Sequence, residues 1–211
     1  MLAVAGRPFL AHVLDQLSMA HLDEIVLAVS FQWEKIQAEI GNRWRGVKIS
    51  YSIEQSPLGT GGAIRQAMQQ AGIIEALVAN GDTLLNINAD ELIQFARDHE
   101  ADIAIALRAN EDTSRFGKVR INSDNRIVAF EEKAPASSGL INSGMYFVKS
   151  SIFSKMFTQA FSFEKDILVR QTDLLAIYGM QTSAYFIDMG IPEDLARAHL
   201  ELSTMIAPPN A

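Results

Sequence analysis

The alternation between two hydrophobic periods limits most strongly what this 211-residue chain can fold into. Apolar residues first recur at helical spacing, at Leu10, Val13, Leu14 and Leu17, and then form the continuous run "EIVLAVS" from Glu24. A short continuous run with β-branched residues is typical of a strand that is buried on both faces of a sheet. The chain therefore begins as a helix followed by a buried strand.

The alternation between helical spacing and strand-like apolar runs continues to Arg108. It predicts helices in "WEKIQAEI", in "AIRQAMQQA" and along the stripe from Leu92 to His99, and strands in "VKISYSI", "EALVAN" and "DIAIALR". Such alternation builds a parallel sheet with helices on both faces.

After Arg108, "GKVRI", "RIVAFEEK" and "GLINSGMYFVK" follow one another with only turn residues between them, which predicts antiparallel strands. Further helices are predicted in "SIFSKMF" and "SFEKDILVRQT", a last strand in "TSAYFID", and a closing helix that Pro192 opens. We therefore predict an α/β fold, a Rossmann-like, three-layer arrangement around a mixed sheet with an antiparallel insertion.

Composition excludes several classes of protein. The net charge of −7 argues against a general nucleic-acid binder, because such proteins carry a basic surface. The sequence has no cysteine, which excludes disulfides and thiolate metal sites, and no apolar stretch is long enough to span a bilayer. We expect a cytoplasmic protein that binds small molecules and contacts neither membrane nor nucleic acid.

Ligands of such sheets bind beyond the carboxyl ends of the strands, which draws attention to the loop "EQSPLGTGGA" after Ile53. Glycine allows the backbone to approach a ligand closely, so the amides of Gly59 to Gly62 could face an anion or a base. The alternative is a plain tight turn. Spacing alone favours the turn, because the loop matches neither GxxxxGK[ST] nor GxGxxG.

Two aspartates follow predicted strands, in "NGD" and in "YFIDMGIPEDL". Asp82 and Asp188 could share a Mg²⁺ ion, since Mg²⁺ prefers oxygen ligands and takes one or two carboxylates together with substrate phosphates. They could equally cap the segments that follow. In "FEEKAP", Lys133 could hold a phosphate and a neighbouring carboxylate could hold sugar hydroxyls, although a solvated charge cluster is the safer interpretation.

Taken in order, "EQSPLGTGGA", "NGD", "FEEKAP" with "NSGMYFV", "FSFEKDIL" and "FIDMGIPEDL" resemble the motifs of the sugar-1-phosphate nucleotidyltransferases. The resemblance covers nearly the whole chain. Within that family, the pattern is most similar to the D-glycero-α-D-manno-heptose-1-phosphate guanylyltransferases, with the mannose-1-phosphate guanylyltransferases and muramate-type uridylyltransferases next.

The resemblance implies a GT-A-like nucleotidyltransferase fold and a reaction in which a sugar 1-phosphate attacks the α-phosphorus of a nucleoside triphosphate. It assigns Mg²⁺ to Asp82 and Asp188, the sugar phosphate to Lys133, and the sugar pocket to Gly117, Glu132 and Asn142. Nucleotide contacts are assigned to Glu54, Pro57, Leu58, Gly59, Thr60, Gly61, Asn80 and Gly81.

Glu54 occupies the position that reads the base in this family. A carboxylate accepts hydrogen bonds, and guanine offers two adjacent N–H donors, whereas uracil and thymine offer one donor flanked by acceptors. We therefore expect Glu54 to favour GTP.

The chain departs from the family pattern at its start. Family members begin with a strand and a loop of the form GGxGTRL, before the segment that "MLAVAGRPFL" resembles. We accordingly expect a nucleotidyltransferase domain over residues 1–205 that lacks the first strand and the phosphate loop, and a disordered tail over 206–211. Such a domain should bind a triphosphate poorly.

Two other functions stay open: a binding module without turnover, and, less favoured, a dinucleotide-dependent oxidoreductase. Relatives are often homo-oligomers.

Overall fold

The computed structural model describes residues 2–113, 116–131, 138–156, 158–190 and 192–206. The first part of the chain forms β1 (Ala3–Val4), β2 (Arg7–Pro8), α1 (Phe9–Leu17), β3 (Glu24–Val29), α2 (Trp33–Ile40), β4 (Arg43–Trp44), β5 (Val47–Ile53) and α3 (Gly59–Ala71). These elements confirm the predicted alternation of helix and strand.

The remainder adds β6 (Glu75–Ala79), β7 (Thr83–Leu85), α4 (Ala89–Asp98), β8 (Ile103–Asn110), β9 (Lys118–Ile121), β10 (Ile127–Glu131), β11 (Gly139–Lys149), β12 (Ile177–Thr182), β13 (Phe186–Asp188) and α5 (Pro192–Ile206). A 3₁₀ turn at Ser150–Phe153 and a π-helix at Phe163–Val169 lie between β11 and β12. Among the described residues, no helix has the length and apolar character that a membrane crossing requires.

The strands form a mixed arrangement, as predicted. The largest sheet has the order β10-β9-β11-β8-β12, with β6 on β11, and β11 runs antiparallel to β6, β8 and β9. The predicted antiparallel insertion is therefore confirmed. A second sheet has the order β3-β5-β4, with β3 and β5 parallel. Within the described residues, no backbone pairing joins these two sheets.

Strand β8 shows how the layers are held together. Ile103, Ile105 and Leu107 are fully buried in one hydrophobic cluster with Met68 of α3 and Phe163 of the π-helix. The alternate alanines of β8, also fully buried, face a second cluster with residues of α1, α4 and α5. Because successive side chains of a strand point to opposite faces, one apolar run holds helices on both sides of the sheet.

Two local predictions were wrong, and one strand was missed. Over its described residues, 151–156, "SIFSKMF" forms a 3₁₀ turn and no longer helix, and the last strand is limited to Phe186–Asp188. The parallel strand β12 was not predicted. It contains Gly179, where a Cβ would overlap the side chain of Leu107, so the glycine that weakens the strand pattern is required by close packing against β8.

Candidate functional site

Pairing between β13 and β7 brings the two predicted metal-binding aspartates to neighbouring strands. Asp188 is in register with Thr83, and the N–H of Met189 donates to the carbonyl oxygen of Asp82 at 2.8 Å. Asp82 is exposed and Asp188 is half-buried. The backbones of Asp82 and Asp188 therefore lie side by side at one end of this strand pair, and their shared role in binding a metal stays a prediction.

Each carboxylate also has a local partner. The N–H of Gly190 donates to Oδ1 of Asp188 at 2.8 Å, which is an Asx-type turn, and the hydroxyl of Thr83 donates to Oδ1 of Asp82 at 3.3 Å. The turn interpretation thus holds for Asp188 alongside any role in metal binding. Among the described residues, no three His, Asp or Glu side chains are grouped as a metal cage. A pair of carboxylates suits Mg²⁺, which completes its shell with substrate phosphates and water.

The glycine loop packs against the protein itself. The amides of Gly61 and Gly62 donate to the carbonyl oxygen of Phe161 at 3.0 and 3.4 Å, and the N–H of Phe161 donates to the carbonyl oxygen of Leu58 at 2.9 Å. The hypothesis that the amides from Gly59 to Gly62 all face a ligand is therefore wrong for Gly61 and Gly62, because these two N–H groups already donate to Phe161.

Steric requirements explain why glycines occupy this loop. A Cβ on Gly61 would overlap the ring of Phe161 and lie 3.0 Å from the N of Phe163. Gly59 has φ +68°, and a Cβ there would lie 2.6 Å from the carbonyl oxygen of Phe161. The absence of side chains lets the first turn of α3 lie directly on the segment that leads into the π-helix.

The remaining loop residues hold this arrangement or point outward. Oε2 of Glu54 accepts from the N–H of Leu58 at 2.9 Å, and the hydroxyl oxygen of Thr60 accepts from the N–H of Phe163 at 2.9 Å. Pro57 is exposed. Glu54 therefore supports the loop with one oxygen, and base recognition by this residue stays a prediction.

A hydrogen-bonded chain joins a predicted nucleotide residue to a predicted sugar residue. The N–H of Asn80 donates to the carbonyl oxygen of Gly144 at 2.9 Å, and the N–H of Gly144 donates to Oδ1 of Asn142 at 3.0 Å. Nδ2 of Asn142 donates to the hydroxyl of Tyr146 at 2.9 Å. Exposed Gly81 follows Asn80 and leads to Asp82.

Sequence reasoning missed Gly144 and Tyr146. The pairing of β11 with β8 shifts register between Asn142 and Tyr146. Gly144, inside this shift, has φ +76°, and a Cβ on it would lie 2.8 Å from Nδ2 of Asn80. The available signal was a glycine inside the strand pattern "NSGMYFV", which often marks a bulge or a close approach.

Tyr146 connects this network to nearby carboxylates. Burial is the main cause that raises the pKa of its hydroxyl, and the negative charges of Glu164 and Asp82 raise the pKa further. Glu164 belongs to the π-helix. The hydroxyl is therefore buried and neutral, and it lies within electrostatic range of two carboxylates.

The other predicted sugar-binding residues are only partly located. A Cβ on Gly117 would lie 2.7 Å from the carbonyl oxygen of Glu131, so glycine is needed there for packing. Its neighbour Phe116 packs edge-on against Phe186 of β13, with ring centroids 5.9 Å apart. Glu132 and Lys133 lie outside the described residues.

Similarity to known proteins extends over nearly the whole chain. The family model described as nucleotidyl transferase matches residues 1–204. A D-glycero-alpha-D-manno-heptose 1-phosphate guanylyltransferase from Aneurinibacillus thermoaerophilus is 37% identical, over 98% of this chain and 90% of the relative. A mannose-1-phosphate guanylyltransferase from Mycobacterium tuberculosis is 33% identical over 99% of this chain and 59% of its own length.

Solved structures agree in fold. The crystal structure of HddC from Yersinia pseudotuberculosis, complexed with GMP-PN, has a TM-score of 0.85 and 31% identity, covering 96% of this chain and 88% of that one. A thymidylyltransferase structure from Bacillus anthracis has a TM-score of 0.77 at 19% identity over 99% of this chain and 87% of that one, which is a likeness of fold alone.

Proposed function

The chain belongs to the nucleotidyl transferase family, and on that premise we propose that it transfers GMP from GTP to D-glycero-α-D-manno-heptose 1-phosphate. The observation that carries the substrate assignment is the 37% identity to a guanylyltransferase of that name, over 98% of this chain. The pairing of β7 with β13, which brings Asp82 beside Asp188, supports the reaction type.

In this reaction a phosphate oxygen of the sugar 1-phosphate attacks the α-phosphorus of GTP. The new oxygen–phosphorus bond forms as the bond from the α-phosphorus to the bridging oxygen breaks, and pyrophosphate leaves with that electron pair. Little covalent chemistry falls to the protein, so positioning and charge neutralisation account for most of the acceleration.

Asp82 and Asp188 are the residues that would hold Mg²⁺. When bound, the ion neutralises phosphate charge in the transition state. The donor set fits, because both side chains supply hard oxygen and Asp82 is exposed, so a bound ion keeps open positions for substrate phosphate.

Base selection falls to Glu54 and the loop that it supports. Its bond to the N–H of Leu58 fixes the carboxylate beside the first turn of α3, within a wall of close-packed glycines. A carboxylate held in this way favours guanine over uracil, because guanine presents a pair of N–H donors.

The sugar phosphate is proposed to lie near Asn142 and Gly117, with Lys133 as its cation and Glu132 on the sugar hydroxyls. The hydrogen bond that Asn142 donates to Tyr146 and the one that it accepts from the N–H of Gly144 orient the Asn142 amide and connect it to Asn80 on the nucleotide side. Nucleotide and sugar residues thereby belong to one hydrogen-bonded unit, which suits an in-line reaction between two substrates.

Pyrophosphate release tests the proposal. Each of GTP, UTP, dTTP, CTP and ATP is combined with Mg²⁺ and a panel of sugar 1-phosphates, and nucleotide binding is measured in parallel by calorimetry. We expect turnover to be highest with GTP and the manno-heptose 1-phosphate. Asp82→Asn and Asp188→Asn should each lower kcat by at least about 100-fold, the scale of losing one electrostatic contact to the transition state.

The matched control is Asp124→Asn, which makes the same change in the exposed turn between β9 and β10 and should leave kcat unchanged. Unaltered kcat in both site variants would refute the metal assignment. Binding of nucleotide without turnover, also when a strand and GGxGTRL-type loop are joined ahead of residue 1, would support the binding-module alternative instead.

A mannose-1-phosphate guanylyltransferase is the second candidate function, favoured by the relative that is 33% identical over 99% of this chain. The same sugar panel separates the two. Higher kcat/KM with mannose 1-phosphate than with the heptose 1-phosphate would select this second candidate.

A further inference from the structure

The segment "FSFEKDIL", residues 161–168, forms most of the π-helix and the two positions before it. Glu164 is exposed, and among the described residues no hydrogen bond or ion pair reaches its carboxylate. Asp166 is fully engaged, because its Oδ2 accepts from the N–H of Ser162 and its Oδ1 accepts from Nη1 of Arg170, both at 2.8 Å. Asp166 therefore holds the segment together, which leaves Glu164 unexplained.

The backbone that carries Glu164 is fixed by the residue before it. The N–H of Phe163 donates to the hydroxyl oxygen of Thr60 at 2.9 Å. The buried ring of Phe163 packs edge-on against the ring of Tyr146, with centroids 5.2 Å apart. A π-helix is rare and occurs frequently at functional sites. Glu164 therefore extends from a rigid support.

The same support joins the nucleotide side of the proposed site to the sugar side. Thr60 belongs to the loop assigned to the nucleotide. The hydroxyl of Tyr146 accepts from Nδ2 of Asn142 at 2.9 Å, and Asn142 is assigned to the sugar. Because Phe163 contacts both Thr60 and Tyr146, Glu164 directly follows the point at which the two sides meet.

The charge of Glu164 acts on the sugar side. Burial is the main cause that raises the pKa of the Tyr146 hydroxyl, and the negative charge of Glu164 is the next, ahead of the charge of Asp82. Electrostatic interactions weaken with distance, so the Glu164 carboxylate lies near the end of Tyr146 that accepts from Asn142.

The chemistry of a carboxylate selects the part of the substrates that it can bind. An ionised carboxylate only accepts hydrogen bonds, and it repels phosphate groups. Hydrogen bonds from neutral donors to a charged acceptor are stronger than those between neutral groups. Near Asn142, the donors that the proposed substrates supply are the hydroxyl groups of the sugar.

We propose that Glu164 binds a hydroxyl group of the sugar 1-phosphate and thereby helps to select the sugar. This inference rests on the proposed function, because it takes a sugar 1-phosphate as a substrate. The alternative is a surface carboxylate that only stabilises the start of the helix by its charge. That alternative predicts no effect on sugar binding.

The test measures the Kd of sugar 1-phosphates by calorimetry, in the presence of GMP and Mg²⁺. The probes are D-glycero-α-D-manno-heptose 1-phosphate, mannose 1-phosphate, and deoxy analogues of mannose 1-phosphate that each lack one hydroxyl. Glu164→Ala should raise the Kd of the heptose and mannose 1-phosphates by about 10-fold or more, the scale of one hydrogen bond to a charged group. Glu164→Gln keeps an acceptor without the charge and should raise the Kd less.

The analogues identify the contact itself. One analogue should bind the unaltered chain about 10-fold more weakly than its parent sugar 1-phosphate does, because it lacks the hydroxyl that Glu164 binds. Glu164→Ala should cause no further loss with that analogue, since the same hydrogen bond cannot be lost twice. A purely structural role of Glu164 would weaken all analogues equally.

The matched control is Glu91→Ala, which removes an exposed glutamate from the first turn of α4. It should leave the Kd of every probe unchanged and shift the midpoint of urea unfolding as little as Glu164→Ala does. The Kd of GMP should change by less than about 2-fold in Glu164→Ala, which separates a lost sugar contact from damage to the loop at Thr60.

Four outcomes would overturn the proposal. They are an unchanged Kd of the sugar 1-phosphates in Glu164→Ala, an equal further loss with every deoxy analogue, a comparable loss of GMP binding, and no binding of any sugar 1-phosphate to the unaltered chain. Pyrophosphate release is a separate readout. Glu164-dependent sugar binding without pyrophosphate release would contradict the proposed reaction alone, and turnover with an unchanged Kd would contradict this contact alone.

Discussion

Replacing Gly61 with alanine would test whether close packing explains the glycine loop. The added Cβ would lie closer than 3.0 Å to two atoms of the Phe161 ring. Carbon atoms prefer separations of about 3.5–4.0 Å, so the ring or the first turn of α3 must move by roughly 0.5–1 Å or more. Phe161 is only 6% exposed and its ring stacks under the guanidinium of Arg65 at 4.9 Å, so little free space is available for that movement.

Opposing contributions decide how much Gly61→Ala changes the free energy of unfolding. Alanine in a helix is favoured over glycine by about 0.5–1 kcal/mol, which would stabilise the variant. Overpacking of a filled core costs about 1–3 kcal/mol, and the buried hydrogen bond from Gly61 to Phe161 is strained as well. We therefore expect the free energy of unfolding to fall by about 1–2 kcal/mol in total, measured by urea unfolding at constant m-value.

A double-mutant cycle with Phe161→Ala isolates the cause. Removing the ring takes away the obstacle, so Gly61→Ala should cost about 1–3 kcal/mol less in the Phe161→Ala background than in the unaltered chain. A Gly61→Ala variant as stable as the unaltered chain would refute the packing argument. Additivity of the two substitutions within about 0.5 kcal/mol would show that the ring is not the obstacle.

Three further predictions concern other parts of the molecule. Glu54→Gln keeps an acceptor for the N–H of Leu58 and should preserve the loop. The preference for GTP over UTP, measured as a ratio of kcat/KM values, should fall by about 10-fold or more. An unchanged preference would exclude Glu54 from base selection. Gly144→Ala should lower the free energy of unfolding in urea by about 1–2 kcal/mol, because φ is +76° and the added Cβ would lie 2.8 Å from Nδ2 of Asn80. The loss should be smaller in an Asn80→Ala background. An equal loss in both backgrounds would leave backbone strain as the sole cause. Burial alone would raise the pKa of Asp15, but hydrogen bonds from Arg45, Arg7 and Trp44 outweigh it and lower the pKa from 3.8 to about 2. The lowered pKa contributes about 2 kcal/mol to the free energy of unfolding above about pH 4. This contribution is lost as the pH falls toward 2, since the unfolded chain takes up the proton at a higher pH than the folded chain does. In urea unfolding, Asp15→Asn should lack this part of the acid dependence.

The family and the fold class were readable from the sequence because they depend on local signals. The alternation between hydrophobic periods identified β3, β5, β6 and β8, and turn residues such as Asn122 and Asn125 identified the hairpin between β9 and β10. The motif order supplied the family, which the match over residues 1–204 confirms. The metal, nucleotide and sugar roles assigned from the motifs stay predictions, including those of Lys133 and Glu132.

Elements whose stability comes from distant contacts were not readable in the same way. Strand β12 is held by its parallel partner β8 and by close packing of Gly179 on Leu107, and nothing local in "IYGMQT" reports that partner. The segment "SIFSKMF" has helical spacing, yet its described residues, 151–156, form a 3₁₀ turn and no longer helix. Propensity is a weak prior that tertiary contacts override.

The sequence by itself determined the order of elements and the composition of the loops at the strand ends, because hydrophobic period and turn chemistry act over a few residues. Only the tertiary structure decided that the amides of Gly61 and Gly62 donate to Phe161, and that Asn80 and Asn142 share Gly144. A hydrogen-bond donor has no fixed partner until the chain is folded, and the choice among partners depends on segments that lie far apart in sequence: Gly61 and Phe161 are separated by 100 residues.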